Sequence, residues 1–306
     1  MRTSSNPVFR NLDKEYATFG GPGTRTAQQG GQPGYGQPGQ PQYGQQPQQY
    51  GYGQQPSAAE PQRAMTIDDV VTKTAMTLGV LTVTAIISYV LVDRGRKVVE
   101  TVNGLEVSYP LMAPLAFGGM IVGFILAMIG IFTRKTDRPA LVLAYAAAEG
   151  LFLGAISFAF ANLSFGGGQA PGNAIIIQAV VGTFGVFGGM LVVYKTGAIR
   201  VTPKFTRMLV GALFGVLALM VVNLIAGFFT AGGLGLRDGG PIAIIFSLVC
   251  IALAAMSFLV DFDEADKLIR AGAPAKAGWS VAFGLTVTLV WLYLEILRLL
   301  SYVQSK

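Results

Sequence analysis

From Val70 onward the chain alternates long apolar runs with short polar breaks, and the length of the runs sets the architecture. Cut at charge clusters and Pro/Gly breaks, the pattern leaves seven stretches, from Val70 to Val92, Leu111 to Phe132, Pro139 to Ala161, Ala174 to Tyr194, Phe205 to Phe229, Ile242 to Val260 and Val281 to Tyr302. A helix crossing a hydrocarbon core of roughly 30 Å needs about 20 apolar residues, and each stretch approaches that length. Barrel strands would alternate in polarity over about ten residues, whereas AIIIQAVVGTFGVFGGMLVVY is apolar on all sides. The pattern therefore predicts an all-α integral membrane protein, a seven-transmembrane-helix bundle over residues 65–306 behind a polar segment over 1–64.

Composition agrees. With 12% charged and 52% hydrophobic residues, 40 Gly and 19 Phe, the chain is unlike a water-soluble domain. The formal charge of +6 reads as topology. Most basic residues fall in the amino-terminal segment and in alternate loops, at Arg134, Lys135 and Arg138, at Lys195 to Arg207, and at Lys267 to Lys276. Cytoplasmic loops retain positive charge, so the amino terminus is expected in the cytoplasm and the carboxyl terminus outside. The lipid bilayer is then the main partner. A nucleic-acid role, which needs a basic face on a folded soluble domain, has little support.

The first 60 residues lack the apolar core of a secretory signal, so the first membrane helix is expected to act as its own signal. Residues 28–62 repeat Gln, Gly, Pro and spaced Tyr (Tyr35, Tyr43, Tyr50, Tyr52), a composition that cannot offset its ordering entropy. A disordered cytoplasmic tail follows, either a solvated tether or a weak multivalent binder. Ahead of it, SSNPVFRNL offers Val8, Phe9 and Leu12 as anchors of a short docking peptide.

Histidine is absent and Cys250 is the single cysteine. The commonest general base, the commonest transition-metal ligand and any intrachain disulfide are thereby excluded. No nucleophile and base are recognisable, so an enzyme is the poorest reading and no cofactor is expected. A coupled transporter would show internal repeats and interrupted helices, and neither stands out. Membrane helices pack through small residues, and pairs at Gly119/Gly123, Gly150/Gly154, Gly185/Gly189 and Gly211/Gly215 predict close packing on four helices.

Candidate chemistry rests on carboxylates inside apolar runs, which mark functional sites by default. Glu149 lies near the middle of the third stretch, where an unpaired charge is very costly. It serves either as a bonded structural group or as a proton-sensitive gate. Glu295 lies past the centre of the last stretch with Arg298 three residues on, on the same helical face. The two form either a local ion pair, with Arg298 snorkelling outward, or a cation site with Arg298 as its lock. Asp261 closes the apolar run SLVCIALAAMSFLV ahead of Asp263, Glu264 and Asp266. Those last three read as a solvated helix end, whereas Asp261 sits closest to hydrocarbon. Arg134, Lys135 and Arg138 could close over it as a salt-bridge latch.

At these residues the sequence resembles the transmembrane Bax inhibitor motif family, specifically its bacterial YccA-like members. The resemblance is carried by SFLVDFDEADKLI, LYLEILRLLSYV and RKTDRPALVLAYAAAEGLFLGAIS, with SSNPVF and MTIDDVVTKTA similar to an actinobacterial branch. It implies a bundle with the last helix at its centre and a pH-sensitive calcium leak controlled by two aspartates. The first matches Asp261, with Val260 where the family has tyrosine. The second matches Glu295 through Leu292, Tyr293 and Leu294, or Thr288 if the carboxyl ends are aligned instead. With Glu295, transient calcium is expected at Asp261 and Glu295; with Thr288, the second carboxylate is missing and Glu149 becomes the candidate partner. Few carboxylates suit weak binding and passage better than storage, since calcium prefers six to eight oxygens. The resemblance also implies a rival role, a regulatory protein that binds and modulates a membrane protease of the FtsH type through the tail.

Overall fold

The computed structural model describes residues 63–101, 104–163, 170–230 and 232–304. The tail, with its tyrosines and the candidate docking peptide, lies outside the described residues. Seven helices are long and apolar enough to cross a membrane: α1 (Ile67–Arg94), α2 (Met112–Thr133), α3 (Pro139–Asn162), α4 (Ala174–Thr196), α5 (Pro203–Gly227), α6 (Pro241–Arg270) and α7 (Gly278–Gln304), the last preceded by a 3-10 turn at Ala275–Ala277.

Local chemistry sets the helix ends. Thr66 and Asp69 form a capping box, each side chain accepting the other's backbone N–H, which starts α1 one turn before its apolar run. Proline opens α3, α5 and α6, where its missing N–H costs nothing. α6 outlasts its apolar run by ten residues, because Asp263 pairs with Lys267 at 2.5 Å and Asp266 with Arg270 at 2.7 Å, both one turn on, and such pairs support a helix that has left the hydrocarbon.

One element escaped the apolar pattern. Lys97–Thr101 (β1) and Gly104–Ser108 (β2) form an antiparallel hairpin, Lys97 opposite Ser108 and Thr101 opposite Gly104. Its signal was present in VVETVNGLEV, an Asn-Gly pair between short apolar-polar alternations, but too short to register in a search for membrane spans.

α7 is the centre of the bundle. It is the most enclosed of the seven helices and packs against α1, α3, α4 and α6. α5, the least enclosed, packs on α6. The glycine pairs divide in the same way. A methyl on Gly119 would stand 2.6 Å from the Phe152 nitrogen, and one on Gly154 would overlap the Ala85 carbonyl oxygen, so α2 meets α3, and α3 meets α1, backbone to backbone. Gly185, Gly189, Gly211 and Gly215 have nothing within 4 Å of such a methyl. The expectation of close packing on four helices therefore holds for two of the four pairs; those on α4 and α5 lie on open faces.

At one end of the bundle the chain is strapped down just before α1. Met65 N–H donates to the Ala273 carbonyl at 2.7 Å, Ala275 N–H donates to the Arg63 carbonyl at 2.8 Å, and the Lys73 ammonium donates to the Ala275 carbonyl. Met65, 2% exposed, enters the cluster formed by Ala254, Phe258, Phe262, Leu285 and Leu292.

Candidate functional site

α6 and α7 run antiparallel, and the polar side chains of their seam meet at two levels. At the first, Thr288 Oγ1 donates to Asp261 Oδ2 at 2.7 Å and shares its proton with the Gly284 carbonyl at 3.2 Å. Gly284 lies one turn before Thr288, and a methyl there would meet Asp261 Oδ1 at 3.9 Å, an ordinary van der Waals contact. Asp261 is half-buried and enters no ion pair among the described residues.

The second level lies seven residues further along α7, about 10 Å away. Glu295 is 2% exposed, and its Oε1 accepts from Arg298 Nη1 at 2.7 Å while Arg237 Nη2 stands 3.5 Å off. Both guanidiniums address one oxygen; Oε2 is buried without a hydrogen-bond partner. Arg237 comes from the segment between α5 and α6, where Gly232, Gly233, Gly235 and Gly239 all take positive φ, a conformation open to glycine at little cost. The fold-back is held by Tyr302, whose hydroxyl donates to the Arg237 carbonyl at 3.1 Å, and by Arg237 Nη2 on Met220 Sδ at 2.8 Å. Burial, and after it the Arg298 guanidinium, pushes the Arg237 pKa down, while Glu295 pushes it up.

Between the levels the seam is apolar. Leu292, Ala254 and Phe258 are fully buried in one cluster with Leu289, and Cys250 is buried on α6 as a small apolar residue. Among the described residues, apolar side chains fill the seam between Asp261 and Glu295.

The geometry bears on three arrangements that the sequence left open. Asp261 faces Thr288, and Glu295 belongs to an arginine cluster two turns away, so the pair expected to share calcium is not brought together. Arg298 does not snorkel: its side chain is 16% exposed, turned inward onto Glu295. The latch is not formed either. Arg134, Lys135 and Arg138 are exposed and in no ion pair among the described residues. Their turn docks near the start of α7, with Thr136 bonded to Ser280 at 2.9 Å and Asp137 paired with Lys276 at 3.3 Å. Thr288 lies about 12 Å further along that helix.

Glu149 is half-buried and points into the α2–α3 interface, where a methyl on Gly123 would stand 2.6 Å from its Oε2. α3 and α6 share no packed interface, so Glu149 does not partner Asp261. Sequence reasoning missed two participants. Arg237 was visible only as a lone basic residue in the Gly-rich stretch AGGLGLRDGG. Tyr293 stood in the sequence only as part of the Leu292–Leu294 match, and its hydroxyl, which bonds Ser157 at 2.8 Å and ties α7 to α3, was not read as a contact. Among the described residues no group of three or more acidic or thiol side chains converges as a metal site.

Fold and seam together define a multi-pass membrane protein with two carboxylate-centred polar levels along its α6–α7 seam. The sequence matches the family described as Bax inhibitor 1 like over residues 6–305, and the chain belongs to that family. No curated protein matches it.

Proposed function

We propose that this protein is a pH-sensitive leak for calcium or a similar cation in a bacterial plasma membrane, with its amino terminus in the cytoplasm and Asp261 as the titrating group. The observation that carries this reading is the setting of Asp261: a carboxylate within a membrane-spanning helix, bonded to one hydroxyl and, among the described residues, to no cation. A carboxylate neutralised by arginine is poorly placed to exchange protons or ions; one held by a single hydroxyl is free to do both. Passage requires weak binding, and two oxygen-bearing side chains fall far short of the six to eight ligands of a storage site. Leu292 and Ala254 form the seal, which parts when α6 and α7 separate. The experiment is calcium flux into proteoliposomes between about pH 6 and 8 for wild type and Asp261→Asn. Flux that varies with pH in wild type and not in the variant supports the leak; no flux above empty liposomes overturns it.

A second reading rests on the strap of Arg63 and Met65 to the α6–α7 connection. A partner such as an FtsH-type protease pulling on residues 1–62 would pull on the end of the seam, which makes the tail a regulatory handle. Deleting residues 1–62 leaves flux unchanged under the leak reading and abolishes activity under this one. On either reading the protein is not an enzyme.

A further inference from the structure

The geometry points to a binding site for one phospholipid acyl chain, in a groove between α1 and α4 on the flank of the bundle. A cavity of about 540 Å³ lies between α1 and α4, which share no packed interface. Leu153 and Gly154 of α3 and Leu289 and Val290 of α7 form its floor. Ile86 of α1 and Ile177 of α4, 58% and 69% exposed, form its lips, so the groove opens sideways at the depth of the hydrocarbon. Along its middle two polar side chains are already satisfied, with Ser157 bonded to Tyr293 and Thr183 donating to the Ala179 carbonyl at 2.7 Å. Water is a poor filler for so apolar a space, and leaving it empty forfeits dispersion contacts along every wall.

Shape selects the occupant. The lining on α1 runs from Leu78 to Tyr89, about 16 Å at helical rise. A stretch of that length, almost wholly apolar and open along one side, suits a single extended hydrocarbon chain. One end of the groove also offers what a lipid carries above its chains. Tyr89 donates to Asn173 Oδ1 at 2.7 Å and accepts from Asn162 Nδ2 at 3.2 Å. These three residues lie at one end of the bundle, near the carboxyl ends of α1 and α3 and the start of α4. Among the described residues the amide N–H₂ of the exposed Asn173 meets no acceptor, which leaves it a donor for an ester carbonyl or phosphate oxygen.

The test uses the full chain in vesicles of phosphatidylethanolamine and phosphatidylglycerol containing a trace of phosphatidylcholine with a diazirine at the end of one acyl chain. After photolysis, mass spectrometry should find adducts on the floor residues Leu153, Leu289 and Val290, which are at most 5% exposed, as well as on outward Phe214. Filling the groove with Thr82→Trp and Val180→Trp should lower the floor adducts about tenfold and leave Phe214 labelling unchanged. Asn173→Ala should lower them less. Adducts confined to outward residues, or floor adducts untouched by the filled groove, would overturn the site. Floor labelling that emerges only on dilution to monomers would mean that a second copy fills the groove, and would overturn it equally. The wild-type pattern decides even if the double variant does not fold.

Discussion

Asp261 and Glu295 are both acidic side chains on one helix–helix seam, about two turns apart, yet one is bonded to a hydroxyl and the other to two arginines. Glu295 has given up its freedom: the arginines compensate its charge and the α5–α6 connection covers it. Asp261 keeps its freedom because Thr288 satisfies one oxygen without adding charge. Carboxylates of one seam thus divide into a clamp and an adjustable group according to what stands opposite, and the leucine-lined stretch between them separates the two roles.

The largest expected effect comes from Glu295→Gln. Removing the charge leaves two half-buried guanidiniums facing each other, and breaking a buried pair costs roughly 3–5 kcal/mol. Thermal unfolding in detergent should show the loss, whereas Asp261→Asn, a near-isostere with no cation to abandon, should change stability by less than about 1 kcal/mol. Leu292→Ala comes next. It should destabilise the bundle by roughly 2–5 kcal/mol and raise cation flux, read in proteoliposomes, because it thins the apolar stretch between the two levels. Thr288→Val should cost about 1–3 kcal/mol as Asp261 loses its hydroxyl, and should alter the pH profile of flux without abolishing flux. The smallest effect is expected of the triple change Arg134→Ala, Lys135→Ala and Arg138→Ala. Exposed and unpaired, these residues should each matter by no more than about 0.5 kcal/mol and leave the pH profile intact. A changed profile would restore the latch and erase the contrast between the two carboxylates.

The division was only partly legible in the sequence. The spans were clear, because hydrocarbon demands long apolar runs and six helices begin or end within a few residues of theirs; α6 ran on where its i,i+4 ion pairs took over from apolarity. The acidic candidates were equally visible, since an Asp or Glu in such a run stands out by chemistry alone. Their partners were not. Thr288 is an ordinary residue in a membrane helix until antiparallel packing puts it across from Asp261 over Gly284. Arg237 reaches Glu295 through a loop path that depends on glycines at positive φ rather than on any spacing. The glycine pairs show the same limit: spacing alone does not distinguish Gly150 and Gly154, pressed on the backbone of α1, from Gly211 and Gly215, which meet nothing.

The most direct measurement is infrared difference spectroscopy of the protein in lipid, titrated between about pH 5 and 8, for wild type, Asp261→Asn and Glu295→Gln. A protonated-carboxyl band that changes with pH in wild type and in Glu295→Gln, and is missing from Asp261→Asn, is the expected result. A titrating band that survives Asp261→Asn and disappears with Glu295→Gln would reverse the roles of the two carboxylates and contradict the account.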